Sequence, residues 1–221
     1  MSNPTPKAPP TTPPAGTSAT TAEPTTDRPR RAATLRRTTG ETEVAVTLDL
    51  DGTGRSAVAT GLPFLDHMLG ALARHARWDL ELTARGDLEV DDHHTVEDCA
   101  IVLGRALDAA LGERRGIERF GFAFAPLDEA LCRTVVDLSA RPWPAVELRL
   151  VREQLGAVAT ENLAHFLNTL AIEARMALHV TTLAGANDHH KAEAAFKSLA
   201  LALRRALTRT DGGVPSTKGV L

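Results

Sequence analysis

The chain has 221 residues, a formal net charge of −3, two cysteines, and 4% aromatic residues without a tyrosine. This composition supplies neither the basic field nor the stacking side chains of a nucleic-acid-binding protein, and no apolar run is long enough to span a bilayer. Cys99 and Cys132 lie among apolar neighbours, which predicts reduced core residues in a cytoplasmic protein.

The start of the chain differs in composition from the rest. Residues 1–30 hold most of the prolines, with many threonines, alanines and serines, and such a stretch cannot bury enough apolar surface to fold. It lacks the apolar segment of a secretory signal. We therefore expect a disordered tail at 1–33, a first repeat at 34–126 and a second repeat at 127–221.

The first repeat is predicted from its apolar periodicity. Residues 42–50 alternate as a half-buried strand does, and the DGTG turn at 51–54 favours a hairpin with residues 55–60. The spacing of apolar residues then becomes helical, alternating and helical again. This pattern predicts a helix, a strand and a helix, at 64–77, 78–84 and about 93–111.

The second repeat follows the same order. Strands are predicted at 130–138 and 145–151. A helix, a strand and a helix follow, at 161–175, 176–182 and 190–208. Alternating strands with amphipathic helices indicate an internally duplicated α+β fold, with two helices on one face of each sheet. Because each repeat buries only one side of its layers, we expect the two halves to pack about a pseudo-twofold axis.

A duplicated histidine motif is the most informative feature of the chain. DHHTVED at 92–98 returns as NDHHKAE at 187–193, and each copy has a further histidine upstream in a matching frame, LDHML or LAHFL. Imidazole and carboxylate together suit Mn, Fe, Co, Ni or Zn. The motif supplies eight potential metal ligands: His67, His93, His94, Glu97, His165, His189, His190 and Glu193.

Helix geometry limits how these ligands can be used. His93 and Glu97 lie one turn apart on one helix face, whereas His93 and His94 point about 100° apart. One copy should therefore serve two metals, and two copies should complete a pair of sites, within one chain or between subunits. Asp92 and Asp188 are placed to cap the helices or to orient a ligand imidazole. The alternative is a set of surface histidines at helix starts.

Several separated segments resemble one family. The runs are FLDHML, GDLEVDDHHTVEDCAIVLGRAL, RRGIERFG, PLDEAL, NDHHKAEAAFKSLA and PSTKGVL, and they cover about residues 36–221 in order. Together they resemble imidazoleglycerol-phosphate dehydratase of histidine biosynthesis. The resemblance implies a duplicated α+β fold and loss of water from D-erythro-imidazole-glycerol phosphate to give imidazole-acetol phosphate. It also implies two Mn²⁺ ions per active site and a homo-oligomeric shell of 24 subunits with sites at subunit contacts.

The resemblance also assigns individual residues. It implies that the eight histidines and glutamates of the motif are the metal ligands. It places an acid–base glutamate at Glu41 and phosphate-binding groups at Arg119, Arg141, Lys197, Ser216 and Lys218. The sequence departs from the family pattern at Gly40, where lysine is common, and at Ala140, where glycine is commoner. Without the resemblance, each of these cations and Glu41 would be interpreted as a solvated surface residue.

Two other functions fit part of this pattern. A dinuclear metallohydrolase acting on a phosphate ester would use the same ligands with a metal-bound hydroxide as nucleophile. A non-catalytic metal-binding shell protein would explain the ligands but not the arginines and lysines. A phosphorylated imidazole is the small-molecule partner that the resemblance implies, and neither nucleic acid nor a membrane is expected.

Overall fold

The computed structural model describes residues 1–2 and 29–219, so most of the predicted tail lies outside the described residues. The first half of the described chain consists of β1 (Ala32–Thr38), β2 (Thr42–Asp49), β3 (Ser56–Ala59), α1 (Pro63–Ala76), β4 (Asp79–Gly86) and α2 (His93–Leu111). The second half consists of β5 (Phe120–Leu127), β6 (Ala130–Asp137), β7 (Trp143–Glu147), β8 (Gln154–Leu155), β9 (Val158–Ala159), α3 (Thr160–Glu173), β10 (Ala177–Ala184) and α4 (Asp188–Ala206).

Each half forms one four-stranded sheet with the same topology. The strand orders within residues 29–219 are β1–β2–β4–β3 and β5–β6–β10–β7. In both sheets the last strand of the order is parallel to its neighbour, while the other pairs are antiparallel. The predicted duplication and the α+β class are therefore confirmed.

The helices lie between the two sheets. Each helix packs against its own sheet, and contacts also join α1 to α4 and α2 to α3 across the halves. Burial along β2, β4 and β6 alternates, which places one face of each sheet against the helices and the other face outward. The largest fully buried side chains include Trp78, Phe166 and Phe196. This packing brings helix starts of one half beside helices of the other half.

The predicted hairpin between 42–50 and 55–60 is wrong. β3 pairs in parallel with β4, from Ser56 opposite Leu80, and β4 separates it from β2. The Asp79 carboxylate explains this, because it accepts the backbone N–H groups of Thr53 and Arg55 at 2.8 and 3.1 Å. The DGTG turn is thereby fixed to β4, and the chain continues along the far edge of the sheet.

Strands β1 and β5 were not predicted, and both are edge strands. No β1 residue is fully buried, so its pattern of apolar residues is weak. In β5 the pattern is reversed, because Phe120, Phe122 and Phe124 face outward while Gly121 faces the helices. α4 approaches so closely that a Cβ at Gly121 would lie 2.0 Å from the Ala202 carbonyl oxygen. Only glycine fits at that contact.

The predicted repeat boundaries fall inside these two strands. The boundary between residues 33 and 34 lies within β1, and the boundary between 126 and 127 lies within β5. A division just before Phe120 keeps the second sheet whole. Cys99 and Cys132 are buried free thiols, as predicted. No helix in the part of the chain that the structure describes is long and apolar enough to cross a membrane.

Asp51 ties the end of the second half to the first. Its carboxylate accepts hydrogen bonds from Arg31 at 2.6 Å and from Arg209 at 2.7 Å, and Arg31 also donates to the Leu207 carbonyl. Burial raises the pKa of Asp51, but the hydrogen bonds from Arg209 and Arg31 outweigh burial and hold this pKa well below its usual range. The ionised carboxylate is therefore favoured by folding.

We predict that Asp51→Asn lowers the free energy of unfolding at pH 7 by about 1–2 kcal/mol, the scale of hydrogen bonds to a partly exposed charge. Because the folded-state pKa is depressed, the contribution is complete above the unfolded value of about 4 and disappears as pH falls through the folded value. Urea unfolding at one protein concentration measures both effects. Exposed Glu89→Gln is the control. If Asp51→Asn lowers the free energy of unfolding by the same amount at pH 7 and at pH 2, this account is contradicted.

Candidate metal centre and anion pocket

Two groups of metal-ligand side chains form within the described residues. Each combines the start of one helix with a histidine from a helix of the other half, and its ligand atoms lie within 4.8 Å of one another. The members are His67, His189 and Glu193 in the α1–α4 group, and His93, Glu97 and His165 in the α2–α3 group. The chain therefore brings six of the eight predicted ligands together in two sets of three residues.

The distances within the α1–α4 group suit a shared ion. Glu193 Oε2 lies 3.0 Å from His67 Nε2 and 3.3 Å from His189 Nε2. With metal–ligand bonds of about 2.0–2.2 Å, neighbouring ligand atoms on one ion lie about 3.0–3.5 Å apart. The Phe64 ring packs edge-on against the His189 ring at 5.3 Å, which holds this imidazole from the side.

The α2–α3 group has the same spacing. His165 Nε2 lies 3.0 Å from Glu97 Oε1, and the His93 and His165 rings stack with centroids 5.0 Å apart. Asn162 places its Oδ1 3.0 Å from His93 Nδ1, which leaves Nε2 of His93 for a metal. A carbonyl or carboxylate on the second ring nitrogen is the usual support of a metal-bound histidine. Nitrogen and oxygen donors of this kind fit Mn²⁺ as well as Zn²⁺ or Fe²⁺.

His94 and His190 belong to neither group. Each directly follows a histidine that belongs to one of the groups. The ring centroids are nevertheless 6.0 Å apart for His93 and His94 and 6.2 Å apart for His189 and His190, and the ring planes meet at steep angles. Asp87 lies 3.0 Å from His94 Nδ1, and Glu129 lies 2.7 Å from His190 Nδ1. These two imidazoles are therefore held through Nδ1, as a metal-bound histidine usually is, and Nε2 of each is left for another partner.

Three supporting residues were missed at the sequence level: Asp87, Glu129 and Asn162. Glu129 also accepts the backbone N–H groups of Ala186 and Asn187, so it fixes the start of α4 as well as His190. The hydrogen bond from His190 lowers the pKa of Glu129 to about 2. Asp87 and Glu129 are acidic residues between predicted elements, and Asn162 is a polar residue near the start of a predicted helix; such residues are too common to single out.

The expected role of Asp92 and Asp188 is wrong, because neither caps its own helix or contacts a ligand imidazole. Asp92 accepts the backbone N–H of Ala159 at 2.9 Å, and Asp188 accepts those of Val151 and Arg152 at 2.7 and 2.6 Å. Both carboxylates thus hold the segment between β7 and α3. The preceding residues accept the N–H groups of the first ligand histidines instead: Asp91 and Asn187.

Glu41 lies in the tight turn between β1 and β2, beside His94 at the start of α2. Its Oε2 is 3.8 Å from His94 Nδ1, and its side chain is largely exposed. The backbone of Gly40 lies outside the left-handed region, and a Cβ there would meet open space. A lysine would therefore fit at residue 40 without strain.

Four of the five predicted phosphate-binding residues line one surface pocket of about 720 Å³: Arg119, Arg141, Ser216 and Lys218. Arg119 is held in place by Asp137 at 2.6 Å and by the Pro215 carbonyl at 2.8 Å. Next to Arg141, Ala140 adopts a left-handed conformation with φ 58°, which costs a residue with a Cβ about 1 kcal/mol relative to glycine.

Lys197 lies elsewhere, against the α1–α4 group. Its Nζ is 2.6 Å from Glu193 Oε1. Burial raises the pKa of Glu193, but the hydrogen bonds from Lys197 and His67 outweigh it and lower the pKa to about 2. In this chain Lys197 therefore keeps the Glu193 carboxylate ionised, and it does not line the pocket of Arg119.

The fold and the two groups define a duplicated α+β protein with two sets of side chains that could each hold a metal ion. Residues 60–203 match the family model of imidazoleglycerol-phosphate dehydratase. The chain belongs to this family, whose members are hydro-lyases of histidine biosynthesis.

Individual relatives agree with this assignment. The chain is 53% identical over 206 residues to imidazoleglycerol-phosphate dehydratase of Candida glabrata, and the match covers 85% of this chain and 98% of that protein. A Phytophthora nicotianae protein of the same name is 55% identical over 192 residues, and the match covers 86% of this chain but 42% of that longer protein. The crystal structure of imidazoleglycerol-phosphate dehydratase from Pyrococcus furiosus superposes on this chain with a TM-score of 0.74 at 40% sequence identity. The superposition covers 85% of this chain and 100% of that one.

We predict that Asn162→Ala weakens metal binding by about 10–100-fold, the usual effect of removing the hydrogen-bond partner of a ligand histidine. Titration of metal-free protein with Mn²⁺, followed by the electron paramagnetic resonance of the free ion, measures the affinity. Asn168→Ala is the matched control, because Asn168 lies on the same helix and lines the same cleft without being placed on His93. Equal affinities of the two variants for Mn²⁺ would show that Asn162 does not orient His93.

Proposed function

We propose that this chain dehydrates D-erythro-imidazole-glycerol phosphate to imidazole-acetol phosphate and water in histidine biosynthesis, using two Mn²⁺ ions per active site. The observation that supports the proposal most is the presence of two groups of three candidate ligands. In each group, imidazole and carboxylate atoms already lie as far apart as ligands bound to one ion. The basic pocket around Arg119 and Lys218 supports a phosphorylated substrate. A biosynthetic role of this kind is consistent with the cytoplasmic location predicted from the sequence.

The active site is proposed to form between copies of the chain. Each in-chain group offers three protein ligands, one fewer than a typical four-ligand set. His94 and His190 are oriented through Nδ1 by Asp87 and Glu129 but have no group in their own chain. We assign them to the groups of neighbouring copies, within a homo-oligomer of 24 subunits. His94 then carries the Glu41 turn with it to the active site.

The chain's own residues account for the steps of the reaction. When bound, Mn²⁺ would supply Lewis-acid stabilisation of negative charge on the substrate's imidazole ring. Glu41 takes the proton from the middle carbon of the substrate's three-carbon chain, and the hydroxyl of the carbon beside the ring leaves with a proton as water. The resulting enol tautomerises to the ketone. Arg119, Arg141, Ser216 and Lys218 hold the phosphate, which stays attached to carbon throughout.

A phosphate-ester hydrolase would use the same ligands but would release inorganic phosphate. A single assay separates the two functions. Protein loaded with Mn²⁺ is incubated with imidazole-glycerol phosphate, and both the ketone product and inorganic phosphate are measured. We expect the ketone alone. Inorganic phosphate formed in step with substrate loss would contradict the dehydratase, and no turnover with any divalent metal would favour a non-catalytic metal-binding protein.

We further predict that metal binding and assembly fail together. Chelation should lower both activity and oligomer mass, because His94 and His190 join one copy to another through the ion, and added Mn²⁺ should restore both. His94→Ala and His190→Ala should each reduce bound Mn²⁺ and mass in light scattering. His179→Ala is the control, since His179 is an exposed histidine of β10 outside both groups. Unchanged mass after complete metal removal would contradict interfacial sites.

A further inference from the structure

The turn that carries Glu41 is fixed to the helix that carries the metal ligands. Thr42 is 5% exposed, and its hydroxyl donates a short hydrogen bond to Asp98 Oδ2. Asp98, itself 5% exposed, directly follows Glu97 on α2. Arg37 Nε donates to the other oxygen of Asp98 at 2.9 Å. The buried carboxylate therefore binds both strands of the β1–β2 hairpin at the end where Glu41 lies.

The turn is also closed by its own hydrogen bonds. The Thr39 N–H donates to the Thr42 carbonyl at 2.9 Å. The Thr39 hydroxyl accepts the N–H groups of Glu41 at 3.1 Å and Thr42 at 2.9 Å. Local turns of this kind fix the backbone but not its position relative to another element. The contact between Thr42 and Asp98 supplies that position.

The second half lacks this device. The residue equivalent to Asp98 in the second copy of the motif is Ala194, which follows Glu193. There the β5–β6 turn is held by Glu129, which accepts N–H groups from the segment before α4. A buried acid after the ligand glutamate is therefore not needed for the repeat to fold. Its presence in the first half coincides with the turn that carries Glu41.

We propose that Thr42 and Asp98 are positioning residues that set the carboxylate of Glu41 against His94 and the neighbouring ligands of α2. This inference rests on the proton-transfer role proposed for Glu41. Because α2 carries His93, His94, Glu97 and Asp98, one rigid helix sets both the ligands and the turn. Displacement of a reacting group by about 1 Å can reduce the rate by about 100-fold, so loss of the contact should act on the chemical step and not on binding.

The test is a double-mutant cycle in the Mn²⁺-loaded full-length protein. Thr42→Val removes the hydroxyl while keeping a β-branched side chain, and it should lower kcat by about 10–100-fold with KM, bound Mn²⁺ and oligomer mass within twofold of the parent. Thr42→Ser keeps the hydroxyl, so its kcat should lie within about threefold of the parent value. Thr47→Val is the matched control, because its hydroxyl bonds Thr34 on the same hairpin and does not reach α2. It should keep the parent kcat.

The cycle separates this inference from the role of Glu41. Glu41→Gln alone should lower kcat by about 10²–10⁴, the scale for losing a positioned acid–base group. Adding Thr42→Val to Glu41→Gln should then cost less than twofold, since there is no carboxylate left to position. If Thr42→Val lowers kcat equally in both backgrounds, or not at all, the positioning role is wrong although Glu41 still acts. A near-parent rate for Glu41→Gln overturns the role of Glu41 itself, and the inference with it.

A variant that does not fold would be recognised by its thermal unfolding. In that case Thr42→Ala replaces Thr42→Val in the same cycle, because it removes the same hydroxyl without placing a methyl group against the Asp98 carboxylate. The expected pattern is the same: kcat falls in the parent background and is unchanged in Glu41→Gln. Additive losses in both backgrounds would again contradict positioning.

Discussion

Two adjacent imidazoles on a helix cannot bind the same ion, and the rest of the structure depends on this constraint. Successive helical side chains point about 100° apart, and the ring centroids of His93 and His94 are 6.0 Å apart. One histidine of each pair joins a group within its own chain, as His93 and His189 do. The other is held through Nδ1 by a carboxylate and joins neither group, which is the basis for the proposal that copies of the chain share their ligands.

The duplicated fold satisfies the constraint by exchanging ligands between its halves. Because α1 packs on α4 and α2 packs on α3, each helix start receives its third ligand from the opposite repeat. Neither repeat alone contains all three residues of either group. The buried Asp92 and Asp188 strengthen the arrangement by holding the backbone segment that leads into α3. Packing of the two halves therefore brings the side chains of each group together.

The sequence predicted the parts that depend on local periodicity. Both motif helices and the strands with buried faces follow from apolar spacing, and the set of candidate metal ligands follows from a repeated motif. Features that depend on contacts between distant segments were not predictable. The outward phenylalanines of β5 reverse the usual pattern because α4 needs Gly121 beneath it. Likewise, only the fold shows that Thr42 reaches Asp98. The contact between Lys197 and Glu193 is different, because the two residues lie one turn apart on a predicted helix and their pairing follows from the sequence.

Anomalous diffraction at the manganese absorption edge tests the central claim most directly. Crystals grown with Mn²⁺ should show two anomalous peaks per chain, one at the His67, His189 and Glu193 group and one at the His93, Glu97 and His165 group. Each peak should also contact a His94 or His190 contributed by a neighbouring copy. Peaks bound only by residues of a single chain, or His94 and His190 left away from any metal in the assembled protein, would contradict the account.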